Sequence, residues 1–171
     1  QNRSEKLFDP DNDPLFVQGS RIGDVFYFIS YKGLVHEINV GGDTAISKNV
    51  WSVVTTEEDK QAGWRPGGYQ LISVDKNNGR LYIAMHSEGK EGTHKYPAEE
   101  IWVLDLNTKK RVQRTSGGNS VAMTLTKESN PFLYLYDGVE AKIHKYATMP
   151  KLKPISQSEP VGEFAGLIQS H

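Results

Sequence analysis

The feature that most restricts the fold is an internal repeat present in three copies. Gly23-Asp24-Val25-Phe26-Tyr27-Phe28 aligns with Gly79-Arg80-Leu81-Tyr82-Ile83-Ala84, and again with Pro131-Phe132-Leu133-Tyr134-Leu135-Tyr136. Each copy is a turn followed by a short run of β-branched and aromatic residues, the composition of a strand. The aromatic position recurs at Phe26, Tyr82 and Tyr134, a spacing of roughly 50 residues of the kind found in propeller arrays. A second strand follows at Leu34–Ile38, Glu100–Leu104 and Lys142–Tyr146. After polar turns come weaker outer strands around Ala45–Ser47, Arg111–Gln113 and Pro154–Ile155. An apolar strand precedes each aromatic run, at Leu15–Val17, Leu71–Val74 and Val121–Met123.

The pattern predicts an all-β fold, a β-propeller with blades of about four antiparallel strands, over about 14–54, 67–116 and 119–160. Glu163–Ile168 reads as a further, closing strand at about 163–169. Propellers have about 4–8 blades, so three blades are expected to be the C-terminal portion of one longer propeller domain. A β-sandwich with accidental spacing is the rival. One short helix is expected at Thr56–Ala62, where Thr56 and Asp59 sketch a capping box.

Charge narrows the partners. Twenty basic and 21 acidic residues are mixed along the chain, for a formal net charge of −1, without the one-sided basic field that nucleic acid requires. No apolar run approaches the ~20 residues needed to span a bilayer, so no membrane partner is expected. The chain has no cysteine, which excludes disulfides, thiolate metal sites and cysteine nucleophiles. Gln1 and the absence of an apolar leader suggest a start after a cleavage or inside a longer gene product.

Two segments invite a functional reading. In Gly63-Trp64-Arg65-Pro66-Gly67-Gly68-Tyr69 the glycines permit close backbone approach, and Trp64 and Arg65 are residue types enriched at interface hot spots. No Lys-Ser or Lys-Thr follows, so it is not a phosphate loop; an inter-blade turn and a contact loop both remain open. The excursion Ser87–Pro97 is far longer than the equivalent connections of the other blades, and long insertions in regular scaffolds commonly bind partners. His86, Glu88, Glu91 and His94 suggest a metal, but their spacing does not match His-Glu-x-x-His. His36, Trp102 and His144 fall at equivalent repeat positions, which argues for a shared structural slot. No Gly-x-Ser-x-Gly nucleophile elbow occurs, Glu57-Glu58 and Glu99-Glu100 read as solvated charges, and no catalytic residue is assigned.

The run Gly63–Gln70, with Thr55-Thr56-Glu57-Glu58 upstream, His94-Lys95, Val103-Leu104-Asp105, Gly33 with Val35–Ile38, and Pro131–Tyr134, resembles the heavy chain of quinoprotein amine dehydrogenases. This family comprises the methylamine and aromatic amine enzymes. The resemblance runs in order over nearly the whole chain. It implies a seven-bladed heavy subunit, paired as two heavy and two light subunits in the periplasm. It also implies that the cofactor, tryptophan tryptophylquinone, and the catalytic residues lie in a small cysteine-rich light chain. There, primary amines become aldehyde and ammonia, and electrons pass to a blue copper protein. Tyr69 stands where the methylamine enzymes are expected to carry Trp, which favours the aromatic amine enzyme with azurin as acceptor. On this reading Trp64, Arg65, Tyr69, His94 and Tyr96 are the candidate partner contacts. The alternatives are a stand-alone interaction propeller without redox role, and a metal-dependent hydrolase propeller, which would need acidic or His ligands on several inner strands.

Overall fold

The computed structural model describes residues 19–42, 46–67, 71–87 and 98–161. Strands β1 (Ser20–Ile22), β2 (Val25–Ile29), β3 (Leu34–Asn39) and β4 (Ser47–Ser52) form an antiparallel sheet in chain order. A single-turn helix, α1 (Glu57–Gln61), leads into an eight-stranded sheet. Its strands are β5 (Trp64–Pro66), β6 (Ile72–Asp75), β7 (Arg80–Ser87), β8 (Ala98–Asp105), β9 (Arg111–Leu125), β10 (Phe132–Asp137), β11 (Lys142–Ala147) and β12 (Lys153–Gln157).

The larger sheet is two blades sharing one strand. The first part of β9 pairs with β8, from Leu104↔Arg111 to Glu100↔Ser116. Its second part pairs with β10, from Asp137↔Ser120 to Leu133↔Leu125. An unbroken strand thus crosses the junction that the sequence places at 116–119. Gly117 lies there for closeness: a Cβ would come within 2.8 Å of Ile101 Cγ1 and 3.0 Å of the Glu100 carbonyl carbon. Counted this way the chain holds three four-stranded antiparallel sets, as the all-β blade pattern predicts.

Two strands differ from expectation. β4 starts at Ser47, where the expected outer strand ended, because its register with β3 runs from Asn39↔Ser47 to Leu34↔Ser52. Trp64–Pro66, for which the sequence left an inter-blade turn and a contact loop open, is a strand. β5 and β6 both pair with β7 along the same edge, through Pro66↔Met85 and Ile72↔Ile83. Pro66 is tolerated because an edge strand has one side that needs no N–H donor. Leu15–Val17 and the closing strand at 163–169 lie outside the described residues.

The core follows from the blade order. β7 is buried along nearly its whole length, because the middle blade is covered on both faces and must be apolar on both. One face sends Leu81, Ile83, Met85, Trp102 and Leu104 against Tyr27, Ile29, Val35 and Val53. The other sends Tyr82, Ile101 and Val103 against Leu133, Leu135, Tyr146 and Leu152. β10 alternates instead: Leu133 and Leu135 face inward, while Phe132, Tyr134 and Tyr136 are half-buried on the outward side. Full burial of one such aliphatic side chain stabilises by about 1.5–3 kcal/mol, so these two interfaces carry most of the fold.

The repeat extends to its turns. Asp75 Oδ1 accepts from the Asn78 N–H, Asp105 Oδ1 from Asn107 and Thr108, and Asp137 Oδ1 from Val139 and Glu140. An aspartate ending a strand folds its own turn in this way. The same two backbone donors, with Thr108 foremost, hold the Asp105 carboxyl below its ordinary range.

Candidate functional site

Helix α1 exists for local reasons. Thr56 caps it, accepting the Asp59 N–H at 3.1 Å and donating its hydroxyl to Asp59 Oδ2 at 2.7 Å, as the Thr56/Asp59 spacing predicts. Asp59 is buried, and its charge is met from 52 residues away: Arg111 Nη1 donates to Oδ2 at 2.8 Å, with Arg114 Nη1 at 3.7 Å from Oδ1. Both arginines also cover aromatic rings. Arg111 lies 4.2 Å from the Trp102 centroid, and Arg114 4.8 Å from that of Trp64. Arg114 forks onto Glu100 at 2.8 and 2.9 Å, and Glu100 also accepts from Trp102 Nε1 at 2.9 Å. The Glu100 hydrogen bond holds Arg114 above its usual pKa. Glu100, read from sequence as a solvated charge, is instead a half-buried acceptor shared by Trp102 and Arg114.

A second clamp joins the β8–β9 turn to the first sheet. Lys109 Nζ and Trp51 Nε1 both donate to Glu37 Oε1, at 2.9 and 3.1 Å, and Lys109 lies 4.8 Å from the Trp51 centroid. These cation–aromatic contacts each contribute about 0.5–2 kcal/mol. The Arg114 contact holds β5 to β9, and the Lys109 contact holds the β8–β9 turn to the first sheet.

Of the partner contacts expected from sequence, Trp64 and Arg65 lie on β5, opposite the end of β7 at Ser87 and His86. Trp64 and Arg65 are neighbours on β5 and point to opposite faces. Trp64 packs on Trp102, ring centroids 5.4 Å apart, and serves the core. Arg65 is buried; its Nε donates to His86 Nε2 at 3.1 Å, and its guanidinium stacks 4.4 Å from the Tyr31 ring. An accepting Nε2 is an unprotonated one, so that nitrogen of His86 is committed to Arg65 rather than to a metal. Tyr31 belongs to the β2–β3 turn, which the sequence reading passed over; only the fold brings it to Arg65, 34 positions along the chain. The segment holding His94 and Tyr96 leaves from Ser87, which pairs with Trp64, and returns at Ala98, which pairs with Ser120. Tyr69, His94 and Tyr96 themselves, with Glu88 and Glu91, lie outside the described residues.

His36, Trp102 and His144 all lie on the third strand of their blades, β3, β8 and β11. Their surroundings differ. His36 and Trp102 are buried, whereas His144 is half-buried beside two carboxylates. At the other end of the blades, β1, β6 and the end of β9 line a cleft of about 540 Å³ that mixes Arg21, Asp75, Lys76, Lys127 and Glu128 with Leu71 and Met123.

Known proteins match this arrangement at two levels. In three dimensions the chain resembles the β-propeller domain of Myceliophteria thermophila Cps50 (Swd1), at 9% identity, with TM-score 0.58 over 82% of this chain and 43% of that one. It also resembles Chaetomium thermophilum Raptor, at 12% identity, with TM-score 0.55 over 90% of this chain and 13% of that one. These likenesses support the propeller fold. In sequence, it is 28% identical over 132 residues to the methylamine dehydrogenase heavy chain of Methylobacillus flagellatus, covering 75% of this chain and 32% of that one. The heavy chain of Methylophilus methylotrophus is 30% identical over 82 residues, 47% of this chain and 20% of that one. The chain therefore spans about a third or less of the length of these two relatives. The family profile described as methylamine dehydrogenase heavy chain matches residues 2–154, and the chain belongs to that family.

Proposed function

We propose that this chain is the scaffold region of the heavy subunit of a periplasmic quinoprotein amine dehydrogenase, where it holds a light chain carrying the quinone. The observation that carries this reading is the family match over residues 2–154. When bound, tryptophan tryptophylquinone supplies the oxidising power that turns a primary amine into aldehyde and ammonia. The tryptophans of this chain do not fit that cofactor. Trp64 and Trp102 touch, but Trp102 is fully buried, covered by Arg111 and tied through Nε1 to Glu100. An amine would have to displace a core side chain to reach such a ring pair; on this reading the light chain carries the cofactor.

The role left to this chain is positional. The clamp of Asp59 on Arg111 ties the connection between blades to β9, and that of Glu37 on Lys109 ties the first sheet to the β8–β9 turn, so the blades that carry Tyr31 and Arg65 are held in fixed relation. A rigid face of aromatic and Arg residues is the kind that anchors a partner at low entropic cost. On this reading the light chain rests on that face, with Tyr69, His94 and Tyr96 joining Arg65 as contacts. A second heavy subunit completes the pairing, and a blue copper protein such as azurin receives the electrons. For the substrate, likeness to the aromatic amine enzymes and the Tyr69 position favour an aromatic amine, while the names of the matched relatives favour methylamine.

A visible absorption spectrum of the natively purified assembly, before and after tyramine or methylamine, tests this. A quinone band that bleaches, in a sample containing a small cysteine-rich subunit, is the expected result, and the amine that bleaches it faster identifies the class. A colourless preparation with no small subunit overturns the reading and leaves a propeller that binds proteins without redox chemistry.

A further inference from the structure

The turn between β10 and β11 places three metal-binding side chains together outside the partner-contact residues. Asp137 ends β10, Glu140 lies in the turn and His144 is on β11. One donor atom from each lies within 4.8 Å of the other two. The sequence spacing, Asp-x-x-Glu-x-x-x-His, matches none of the common metal motifs, which is why reading the chain linearly passes over it.

We propose that Asp137, Glu140 and His144 form a binding site for a divalent transition-metal ion, with Zn²⁺ the ion that best fits the donors. The scaffold is already fixed in shape. Asp137 is buried, and its Oδ1 is pinned by the N–H groups of Val139 and Glu140 at 2.8 and 2.9 Å. That turn, with Ala141 in the left-handed region at φ 55°, brings Glu140 back over the hairpin. His144 is held by its place opposite Leu135 in the β10–β11 ladder. Such outer hydrogen bonds orient ligating carboxylates in metal sites.

The spacing suits an ion better than a direct contact. His144 Nε2 stands 3.9 Å from Glu140 Oε2, too far for a hydrogen bond. Ligands about 2.0–2.1 Å from a tetrahedral Zn²⁺ stand roughly 3.3 Å apart, so a small closure of the exposed Glu140 side chain completes the set. Two carboxylates carry charge to match the ion, although Lys142, across the ladder from Asp137, offsets part of it. An imidazole with two carboxylates selects a borderline transition ion over Ca²⁺ or Mg²⁺, which take oxygen ligands. Three protein ligands leave a coordination position open. The site lies at the end of the blades that carries the candidate partner contacts, because Ser120 pairs with both Asp137 and Ala98.

The test is calorimetric titration of the full chain with ZnCl₂ after dialysis against a chelator, with Ca²⁺ as the comparison ion. Glu140→Gln alters an exposed side chain, and Asp137→Asn keeps the Oδ1 acceptor that folds the turn, so both variants retain the fold; His144→Gln completes the set. The expected result is one equivalent of Zn²⁺ bound, no comparable Ca²⁺ binding, and at least ~10-fold weaker binding in each variant. Absence of saturable binding at one equivalent overturns the assignment. So does a Zn²⁺ isotherm that Glu140→Gln and His144→Gln leave unchanged, or anomalous scattering that places the ion elsewhere.

Discussion

Replacing Asp59 with Ala isolates the clamp that holds α1 between the sheets. In the parent, Asp59 Oδ2 takes the Arg111 hydrogen bond at 2.8 Å, and the carboxylate keeps only 6% of its exposure while Arg111 keeps 25%. Removing one member of a buried pair typically costs about 3–5 kcal/mol, because the other charge loses its partner without regaining water. Arg111 is a quarter exposed and can rehydrate in part, and Arg114 retains its fork on Glu100, so about 2–3 kcal/mol is expected. The Thr56 cap keeps its bond to the residue-59 N–H but loses the one its hydroxyl donates to Asp59 Oδ2, which is part of the expected cost. Urea unfolding followed by circular dichroism measures the cost. Arg111→Met is expected to be comparably destabilising because it strands the Asp59 charge. The double variant Asp59→Ala/Arg111→Met is expected to lose less than the sum of the two singles, by at least about 1 kcal/mol of coupling. A loss below about 0.5 kcal/mol for Asp59→Ala, or purely additive singles, would refute the claim that this pair fixes the helix.

Burial, then the nearby Asp75 charge, pushes the Tyr82 phenol up to about 12. A folded pKa raised above the unfolded value near 10 gives stability that is present below pH 10 and lost as pH rises through 12, amounting to roughly 3 kcal/mol. Urea midpoints between pH 9 and 12 should therefore fall more steeply in the parent than in Tyr82→Phe, and parallel curves would contradict this. Asp105 titrates with the opposite sense: its lowered carboxyl pKa supplies stability above the ordinary carboxylate range that is lost on acidification through the folded value. Asp105→Asn, which keeps the turn acceptor, should flatten the acid limb of the stability profile. Gly117→Ala drives a methyl into Ile101 and should destabilise by about 1–3 kcal/mol, visible as a lower urea midpoint. Arg65→Met removes the cation over Tyr31 and should weaken light-chain binding about tenfold in a surface-binding assay; unchanged affinity would remove Arg65 from the contact set.

The parts of the fold legible in the sequence were those set by local chemistry. The alternation of Phe132 to Tyr136, the apolar run Leu81 to Met85 and the Thr56 cap each announce an element without reference to anything distant. The parts hidden from it depend on sequence-remote partners. The sequence places a blade boundary at Gly117-Gly118, between 116 and 119, and nothing nearby reveals that Ile101 requires the missing Cβ. Gly63–Tyr69 reads as an inter-blade turn or a contact loop because Pro66 and three glycines punctuate it, and the strand character of Trp64–Pro66 comes from Met85 to Ser87 across the ladder. At the candidate face, Arg65 was legible as a residue type, whereas Tyr31 and Asp59 acquire their roles only when the chain folds back over tens of residues.

The shared strand also sets where the chain can come apart. Backbone hydrogen bonds run without interruption from β5 to β12, while the first sheet joins the rest through side chains and the 53–63 connection. Blade three cannot open without stripping half of β9 from β10, which also loosens the edge of blade two. Amide protons of residues 111–125 should accordingly exchange with solvent as a single cooperative block. Opening between the first sheet and the others breaks no ladder. The first blade can therefore part from the others without breaking a ladder, at the cost of the packing that Tyr27, Ile29, Val35 and Val53 make on the middle blade.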